Sequence, residues 1–539
     1  MPVKTMKSRL YFLLLALTFA TLTARSNEGP AVTIVTTPNP ERLERFAAGE
    51  LKRILETLFQ ATVTVTNVDV EAPNRIVFGN PKTHPAIKPA GFLSRDDHFL
   101  ESTPEGLVLG GTLPIATLWA VYEFGHQNGM RYLPTGDFLP LETPKFSLDG
   151  YNEHLHPLAA TRTWRTFGTS PASQATWSLS DFETLFLQLV KMKFNRVELV
   201  MLPSQVFAGT VAQDSGIWDG DPIDVTGDIA GRSVFGGTKT FDHPALAKVK
   251  TPEKRRDAAV SFVKEVMGAA KKLGLAVAIE VTGANEKELA TIGDLYPDAD
   301  VVSPKSREPI LTFAQNGKSL MPLPVVIDSD YQESGFSFET PLVADHSQNL
   351  WTLSRNAFSN GSEPKETLND LILPICGEGV TAPFSNGLAA LTEAAALIAK
   401  DDPAFGVPGN PGFMRFYESS DPVPDWIAKA KELYGKAVGE FYRANTRARD
   451  GARPLILRHA KRSTFALHYV SAAEAARKAG IARAAKDEDA RIENLELAIE
   501  AMHNALAIYS EVAADQSDRG AIALLNEYAY RPLLKALDE

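Results

Sequence analysis

The sequence predicts a mixed α/β protein in three parts: a small N-terminal α/β sandwich domain, a central (β/α)8-like TIM barrel and an α-helical C-terminal domain. Strand and helix patterns mix at the start of the chain, alternate regularly from about residue 158, and give way to helices alone beyond residue 361. Repeated β-α-β alternation is typical of a parallel sheet with crossover helices. The predicted domains are 30–150, 158–360 and 361–539.

The N-terminal part opens with a β-branched strand, AVTIVTT, followed by a helix over residues 41–59. Apolar residues recur in that helix at the spacing of one helix face. A second strand, ATVTVTNV, comes next, and short strands are predicted at 75–80, 98–103 and 106–111. An amphipathic helix at 113–129 ends in a glycine, a common helix stop. These segments predict a two-layer α/β unit.

The central part reads as strands separated by helices. TRTWRTFG and NRVELVML are strand-like, and SDFETLFLQLVKMKF between them has helical spacing. A helix at 251–274 precedes three further strands, LAVAIEVTG, DADVVSP and LPVVIDSD. A barrel is favoured over an open sheet, and no GxGxxG follows a strand, which disfavours a dinucleotide site. An eight-unit barrel takes about 250 residues, so an incomplete barrel stays an alternative for this shorter span.

The C-terminal part contains long, alanine-rich segments with apolar residues at helical spacing. They cover residues 387–400, 424–448, 457–480 and 489–515. No fixed-period repeat connects them, so the pattern indicates a helical domain rather than a solenoid.

The first 24 residues predict a secretory signal peptide. Three basic residues precede an apolar run, Leu10–Phe19, and small residues at Ala20 and Ala24 offer cleavage points. The run is shorter than the roughly 20 residues of a membrane-spanning helix. No cysteine lies near the cleavage region, which argues against a lipoprotein. The mature chain is therefore predicted to be secreted or periplasmic in a bacterium, with no transmembrane segment after the leader.

Composition excludes several classes of protein. The net charge of −11 argues against a nucleic-acid partner, because phosphate binding needs clustered lysine and arginine. The single cysteine, Cys376, rules out an intrachain disulfide. There is no HExxH and no histidine cluster with metal-ligand spacing, so neither a metal nor a cofactor is predicted. The absence of G-x-S-x-G argues against a serine esterase.

Several quoted segments carry a family resemblance. They are AAGELKRILETL, RIVFGN, the stretch from GLVLGG to RYLPTGD with Gly129, Arg131 and Tyr132, and the barrel opening RTWRTFG with KMKFNRVELVML. Residues 30–200 thereby resemble the N-terminal domain and first β/α units of bacterial β-hexosaminidases and α-glucuronidases. The resemblance implies a glycoside hydrolase that acts on carbohydrate, although a fold alone does not establish an activity.

Candidate catalytic carboxylates follow the barrel strands. Glycoside hydrolysis uses two carboxyl groups flanking the scissile bond, and barrel enzymes carry such groups at the C-terminal ends of strands. Asp328 and Asp330 end LPVVIDSD, Glu333 lies just beyond them, and Glu280 lies near the end of LAVAIEVTG. Neighbouring carboxylates raise one another's pKa, as an acid catalyst requires. The alternative is turn chemistry, because a strand-end aspartate often caps the next helix or turn.

Candidate substrate-binding residues lie on the first barrel strand and in the last barrel loop. Alternation places Arg162 and Trp164 on one face of the strand and Arg165 on the other. An arginine there could hold a sugar carboxylate in bidentate fashion, and Trp164 could stack under a pyranose ring. The alternative is an internal arginine–carboxylate pair with a packed indole. His346, next to Asp345, could join the site, although a lone histidine more often has a structural role.

Three functions stay open on these observations. The favoured one is an exported glycosidase that hydrolyses O-glycosidic bonds in oligo- or polysaccharides, among them chains containing uronic or amino sugars. The second is a non-catalytic glycan-binding protein built on a degenerate barrel. The third is a structural exported protein whose helical domain mediates assembly, and that domain is also a natural surface for a homodimer.

Overall fold

The fold is taken from a computed structural model of the chain. It describes residues 29–84, 87, 94–166, 170–201, 221–281, 285–302, 311–314, 335–358, 364–405, 411–449 and 451–539. The predicted leader, residues 1–24, lies outside these ranges, and its export function stays a prediction. No helix in the described ranges is both long enough and apolar enough to cross a membrane.

The N-terminal unit is a six-stranded sheet covered by two helices. Its strands are β1 Ala31–Val35, β2 Thr62–Thr66, β3 Arg75–Gly79, β4 His98–Thr103, β5 Gly106–Gly111 and β8 Asn152–Leu155. A separate hairpin, β6 Arg131–Leu133 with β7 Gly136–Phe138, precedes β8. Its helices are α1 Arg42–Phe59 and α2 Pro114–Gln127. The sheet order is β2-β1-β3-β5-β4-β8, with β4 antiparallel to both its neighbours. The predicted two-layer α/β unit is confirmed.

The central sheet has the strand order of a barrel. Its described strands are β9 Arg162–Arg165, β10 Arg196–Met201, β13 Ala276–Val281, β14 Asp300–Val302, β15 Leu311–Ala314 and β16 Phe336–Glu339. They pair in parallel in the order β14-β13-β10-β9-β16-β15. Among the described strands of this sheet, β9 is the first along the chain and β16 the last, and the two are neighbours. Such a pairing occurs when a β/α sheet curves round to close. A (β/α) barrel-like core is confirmed.

The two faces of this sheet differ in chemistry. Trp164, Val197, Ile279 and Phe338 belong to the hydrophobic core, which also takes in the crossover helices. Those helices are α3 Leu179–Lys191, α4 Pro252–Lys272, α5 Glu286–Leu295 and α6 Ser347–Asn356. Because strand residues alternate between faces, the opposite face of the sheet is the barrel interior.

Helices make up the C-terminal part, as predicted. They are α7 Pro364–Cys376, α8 Thr381–Asp401, α9 Arg415–Glu418, α10 Asp425–Arg447, α11 Arg453–Ala485, α12 Glu488–Ser510, α13 Gln516–Leu525 and α14 Arg531–Asp538. They form a second hydrophobic core, separate from the one that the N-terminal unit and the barrel share. The domain boundaries themselves stay a proposal.

A segment of the barrel packs on these helices. The strand pair β11 Ile223–Asp224 and β12 Thr240–Phe241 belongs to the long connection between β10 and α4. The Asn526 side chain accepts a hydrogen bond from the Ala230 N–H at 2.9 Å and donates to the Ala230 carbonyl at 3.0 Å. Arg531 donates to the carbonyl of Thr226 at 2.6 Å. The connection is therefore anchored on the end of the chain.

A buried ion cluster joins the N-terminal unit to the barrel. Glu123, in α2, is fully buried and accepts hydrogen bonds from Lys193 and, at 2.8 Å, from Arg355. Burial alone would raise the pKa of this carboxyl, but the charges of Arg355, Lys193 and His126 outweigh it and hold the pKa well below its ordinary value. The ionised glutamate therefore stabilises the contact between the two units.

We expect Glu123→Gln to lower the free energy of unfolding by about 3 kcal/mol at pH 7, because the buried Lys193 and the half-buried Arg355 lose their counter-charge. The lowered folded-state pKa means that the stabilisation is present above the ordinary glutamate pKa and is lost as the pH falls through the folded value. Urea unfolding should show the gap between variant and wild type narrowing below about pH 4.5. Glu56→Gln, which breaks a surface pair with Lys52, is the control and should cost less than about 0.5 kcal/mol. A gap that does not vary with pH would contradict this role.

Candidate active site

Polar residues cluster on the interior face of the barrel, at the carboxyl ends of its strands. In the register of the sheet, Arg165 on β9 lies between Glu198 on β10 and Glu339 on β16. Glu280 on β13 lies one residue from the end of its strand and pairs with Val200, so it shares a face with Glu198. Parallel strands therefore bring three glutamates and one arginine to the same end of the sheet.

The Arg165 guanidinium bonds all three carboxylates. Its Nε donates to Glu198 Oε1 at 2.7 Å, its Nη1 to Glu339 Oε2 at 2.6 Å and its Nη2 to Glu280 Oε1 at 2.7 Å. The exposed fraction of the side chain is 1% for Glu198, 4% for Glu280 and 17% for Glu339. Glu339 is therefore the most accessible of these three carboxylates.

Among the described residues, three carboxyl groups surround one guanidinium. Burial lowers the pKa of Arg165, but the charges of Glu339, Glu280 and Glu198 outweigh it and place the pKa above its ordinary value, so the guanidinium stays charged. One positive charge thus faces three carboxyl groups. Carboxylate oxygens that bind different nitrogens of one guanidinium lie within roughly 8 Å of each other, a separation that suits paired-carboxylate catalysis.

Two of the predicted site residues meet in this cluster, Glu280 and Arg165. The predicted catalytic residues Asp328, Asp330 and Glu333 lie outside the described residues, and their roles stay predictions. Glu280 and Arg165 are in direct contact, which is also what the alternative of an internal arginine–carboxylate pair foresees.

Arg162 and Trp164 lie on the opposite face, as strand alternation predicts, and both are fully buried. Arg162 donates to Asp96 Oδ2 at 2.9 Å and to the Lys193 carbonyl at 2.7 Å, so it links the barrel to the N-terminal unit. Trp164 packs against the ring of Phe338 within the core. This placement corrects the expectation that the two residues hold the sugar, because their side chains have no surface that a ligand could reach.

His346 is also buried, at 1% exposure, in the turn before α6. Its Nδ1 lies 3.2 Å from the Asn349 side-chain amide, and its ring packs near Phe338. Burial lowers its pKa to about 4, so the ring is neutral at pH 7. The prediction that His346 contacts substrate is therefore wrong, because its ring is neutral and packed within the core.

Sequence reasoning missed Glu198 and Glu339. Each is the one carboxylate of a short, mostly apolar strand, RVELVM or FSFE, at a position where alternation turns it away from the helix-facing side. A lone carboxylate inside an apolar strand is costly to bury without a partner. The sequence therefore carried a signal, because a glutamate buried in such a strand needs a counter-charge. Arg165, on the neighbouring strand, supplies it. Among the described residues no group of histidine, cysteine and carboxylate side chains is arranged to hold a metal ion.

Neither a family profile nor a curated protein matches the chain. Solved structures of glycoside hydrolases do. One is a GH138 enzyme targeting pectin rhamnogalacturonan II, at 11% identity and a TM-score of 0.49, with 90% of this chain and 92% of that chain covered. A second is a GH115 4-O-methyl-α-glucuronidase with specificity for decorated arabinogalactans, at 13% identity and a TM-score of 0.47, covering 89% and 78%. A third is a family 89 enzyme from Clostridium perfringens, at 10% identity and a TM-score of 0.49, covering 91% and 66%. At these values the likeness assigns neither a substrate nor catalytic residues.

Proposed function

We propose that this chain is a glycoside hydrolase whose active site is the cluster of Arg165 with Glu198, Glu280 and Glu339. The observation that carries the proposal is the meeting of Glu280 and Glu339 on one guanidinium, at the carboxyl ends of barrel strands. Barrel enzymes place their catalytic groups at this end of the strands, and glycosidases use two carboxyl groups roughly 5–10 Å apart.

The three glutamates take different roles in this proposal. Glu339, the most exposed of them, protonates the glycosidic oxygen as the bond to the anomeric carbon breaks. Glu280, bonded to Arg165, serves the anomeric carbon from the other side, as nucleophile or as the base that takes a proton from water. Glu198 is the least exposed and holds Arg165 through its Nε. Water supplies the hydroxyl and the proton that the two products gain.

The charge of the cluster favours a neutral or amino sugar over a uronic acid. Each nitrogen of the Arg165 guanidinium already bonds a glutamate, so a sugar carboxylate would have to share the two remaining N–H groups with these neighbours. A uronate would bring a further carboxylate close to the three glutamates. We therefore narrow the sequence expectation of uronic or amino sugars to substrates that carry no carboxylate.

We expect an aryl glucoside or galactoside to be cleaved with a kcat/KM at least about tenfold above that of the matching aryl uronide, because like-charge juxtaposition costs more than about 1.4 kcal/mol in a buried site. Release of the chromogenic phenol from pairs that differ only at C6, and from the aryl glucosaminides, measures this. Faster cleavage of the uronides would reject the proposed charge selection. No release from any glycoside or polysaccharide tested would reject the hydrolase itself.

One observation favours the second candidate, a glycan-binding protein that does not cleave. Glu198 and Glu280 are buried and bonded to Arg165, as they would be in a purely structural ion cluster. Calorimetric binding of an oligosaccharide that is never hydrolysed would favour this function. Export, which the leader predicts, belongs to both candidates, and N-terminal sequencing of protein recovered outside the cytoplasm tests it.

A further inference from the structure

We propose that the C-terminal helices position the active site by holding the two barrel loops that follow Arg165 and Glu339. The proposal rests on the function proposed above. The residues that make the contact, Asp345 with Arg458 and Arg462, and Trp177 with Ser517, are called the loop clamp below. They are positioning residues, because they act through Arg165 and Glu339.

The first half of the clamp holds the loop that follows Glu339. Asp345 lies six residues after Glu339 and is 2% exposed. Its Oδ1 accepts from Arg458 Nε at 2.8 Å and its Oδ2 from Arg462 Nε at 2.9 Å, both from α11. Burial opposes the charge, but Arg458 and Arg462 outweigh it and lower the pKa of Asp345 to about 2. The loop is thus fixed to the helices by an ionised, fully paired carboxylate.

The second half holds the loop that follows Arg165. Trp177 Nε1 donates to Ser517 Oγ, on α13, at 2.6 Å, and both side chains are buried. Gly520, one helix turn further along, lies so close to the loop that a Cβ there would stand 1.9 Å from the Pro171 carbonyl oxygen. Helix α13 therefore packs backbone to backbone against this loop.

The two loops are also bonded to each other. Gln174, 2% exposed, donates through Nε2 to the carbonyl of Thr340 at 2.8 Å and to that of Pro341 at 3.1 Å. Thr340 is the residue directly after Glu339. Arg165, Glu339 and the helices are therefore parts of one contact network, and a shift of the helices has a short path to the catalytic carboxylate. Displacement by about 1 Å is enough to cost up to 100-fold in rate.

Asp345→Asn tests the clamp against a matched control, Asp370→Asn. Asp370, on α7, is half-buried and accepts from Arg131 and His126. Partial burial opposes its charge, but these groups outweigh it and lower its pKa to about 2, as for Asp345. We expect Asp345→Asn to lower kcat by about 10- to 100-fold. Its KM should change by less than about threefold, and the pH profile of kcat should shift, since the proton donor is displaced. Asp370→Asn should keep the kcat and pH profile of the wild type.

A second readout does not depend on turnover. Hydrogen exchange followed by mass spectrometry should show faster exchange in the peptide covering residues 336–346 for Asp345→Asn and not for Asp370→Asn. If Asp345→Asn does not fold, Ser517→Ala or Trp177→Phe removes the hydrogen bond in the other half of the clamp. Each should speed exchange in residues 170–178 and lower kcat by a smaller factor. Unchanged exchange in residues 336–346, or equal kcat loss in both aspartate variants, would overturn the clamp. Altered exchange in a protein without glycosidase turnover would uphold the clamp and reject only the proposed function.

Discussion

Glu280→Gln and Glu339→Gln should each lower kcat by about 1,000-fold or more while the protein stays folded. Each change removes a carboxyl group that the proposed reaction uses as acid, base or nucleophile, and keeps the shape of the side chain. A loss of this size corresponds to roughly 4 kcal/mol of transition-state stabilisation. Release of the phenol from the best aryl glycoside measures it, and circular dichroism with thermal unfolding shows whether the fold is kept.

Glu198→Gln is the matched control, because Glu198 belongs to the same cluster and is the least exposed of its three carboxylates. It should reduce kcat far less, since it acts on the reaction only by holding Arg165. Equal loss in all three variants would contradict the assigned roles. Full activity in Glu280→Gln or Glu339→Gln would remove that residue from the catalytic pair.

Arg165→Met should have the largest effect on stability, lowering the free energy of unfolding by about 3–5 kcal/mol at pH 7. Methionine fills part of the volume of the arginine, but three buried or half-buried carboxylates lose their common counter-charge. Protonation relieves the repulsion that remains among them. The folded variant therefore binds more protons than the unfolded chain, and its stability falls as the pH rises.

Urea unfolding of Arg165→Met and wild type at several pH values measures this. The gap between the two should be widest at pH 7 and should narrow towards pH 5. The triple variant that combines Arg165→Met with glutamine at Glu280 and Glu339 should recover part of the lost stability, because the repelling charges are gone. A gap independent of pH, together with no recovery in the triple variant, would show that the cluster is not held by charge.

Much of the fold follows from patterns in the sequence, because the burial of one face dictates the spacing of apolar residues in each helix and strand. The order of these elements along the chain can then be read from the sequence. Alternating strands and helices between residues 158 and 360 predict parallel pairing, and the alanine-rich segments predict the C-terminal helices. The closing contact of β16 on β9 does not follow from any local pattern, since it joins residues 174 positions apart. Strand pairing at that separation is set by tertiary packing.

The site was harder to predict than the fold. Glu280 was found because it ends an apolar strand, but Arg165 was expected to bind a sugar and instead bonds glutamates. Arg162 and Trp164 were expected to hold the sugar, because a sequence does not show which face of a strand meets another domain. That face meets the N-terminal unit through Asp96, whose sequence separation from Arg162 is 66. The partner of a buried charge is a property of the assembled fold.

The anchoring of residues 223–241 on Asn526 and Arg531 sets an order of events during synthesis. Ala230 bonds Asn526 across a sequence separation of 296, and Thr226 bonds Arg531 across 305. Asn526 and Arg531 are made long after Thr226 and Ala230, so the connection between β10 and α4 stays without its anchor until both have been made. Maturation of the barrel is thus tied to synthesis of the C-terminal helices, and a chain truncated before α13 lacks both the anchor for this connection and Ser517, which holds the loop beyond Arg165.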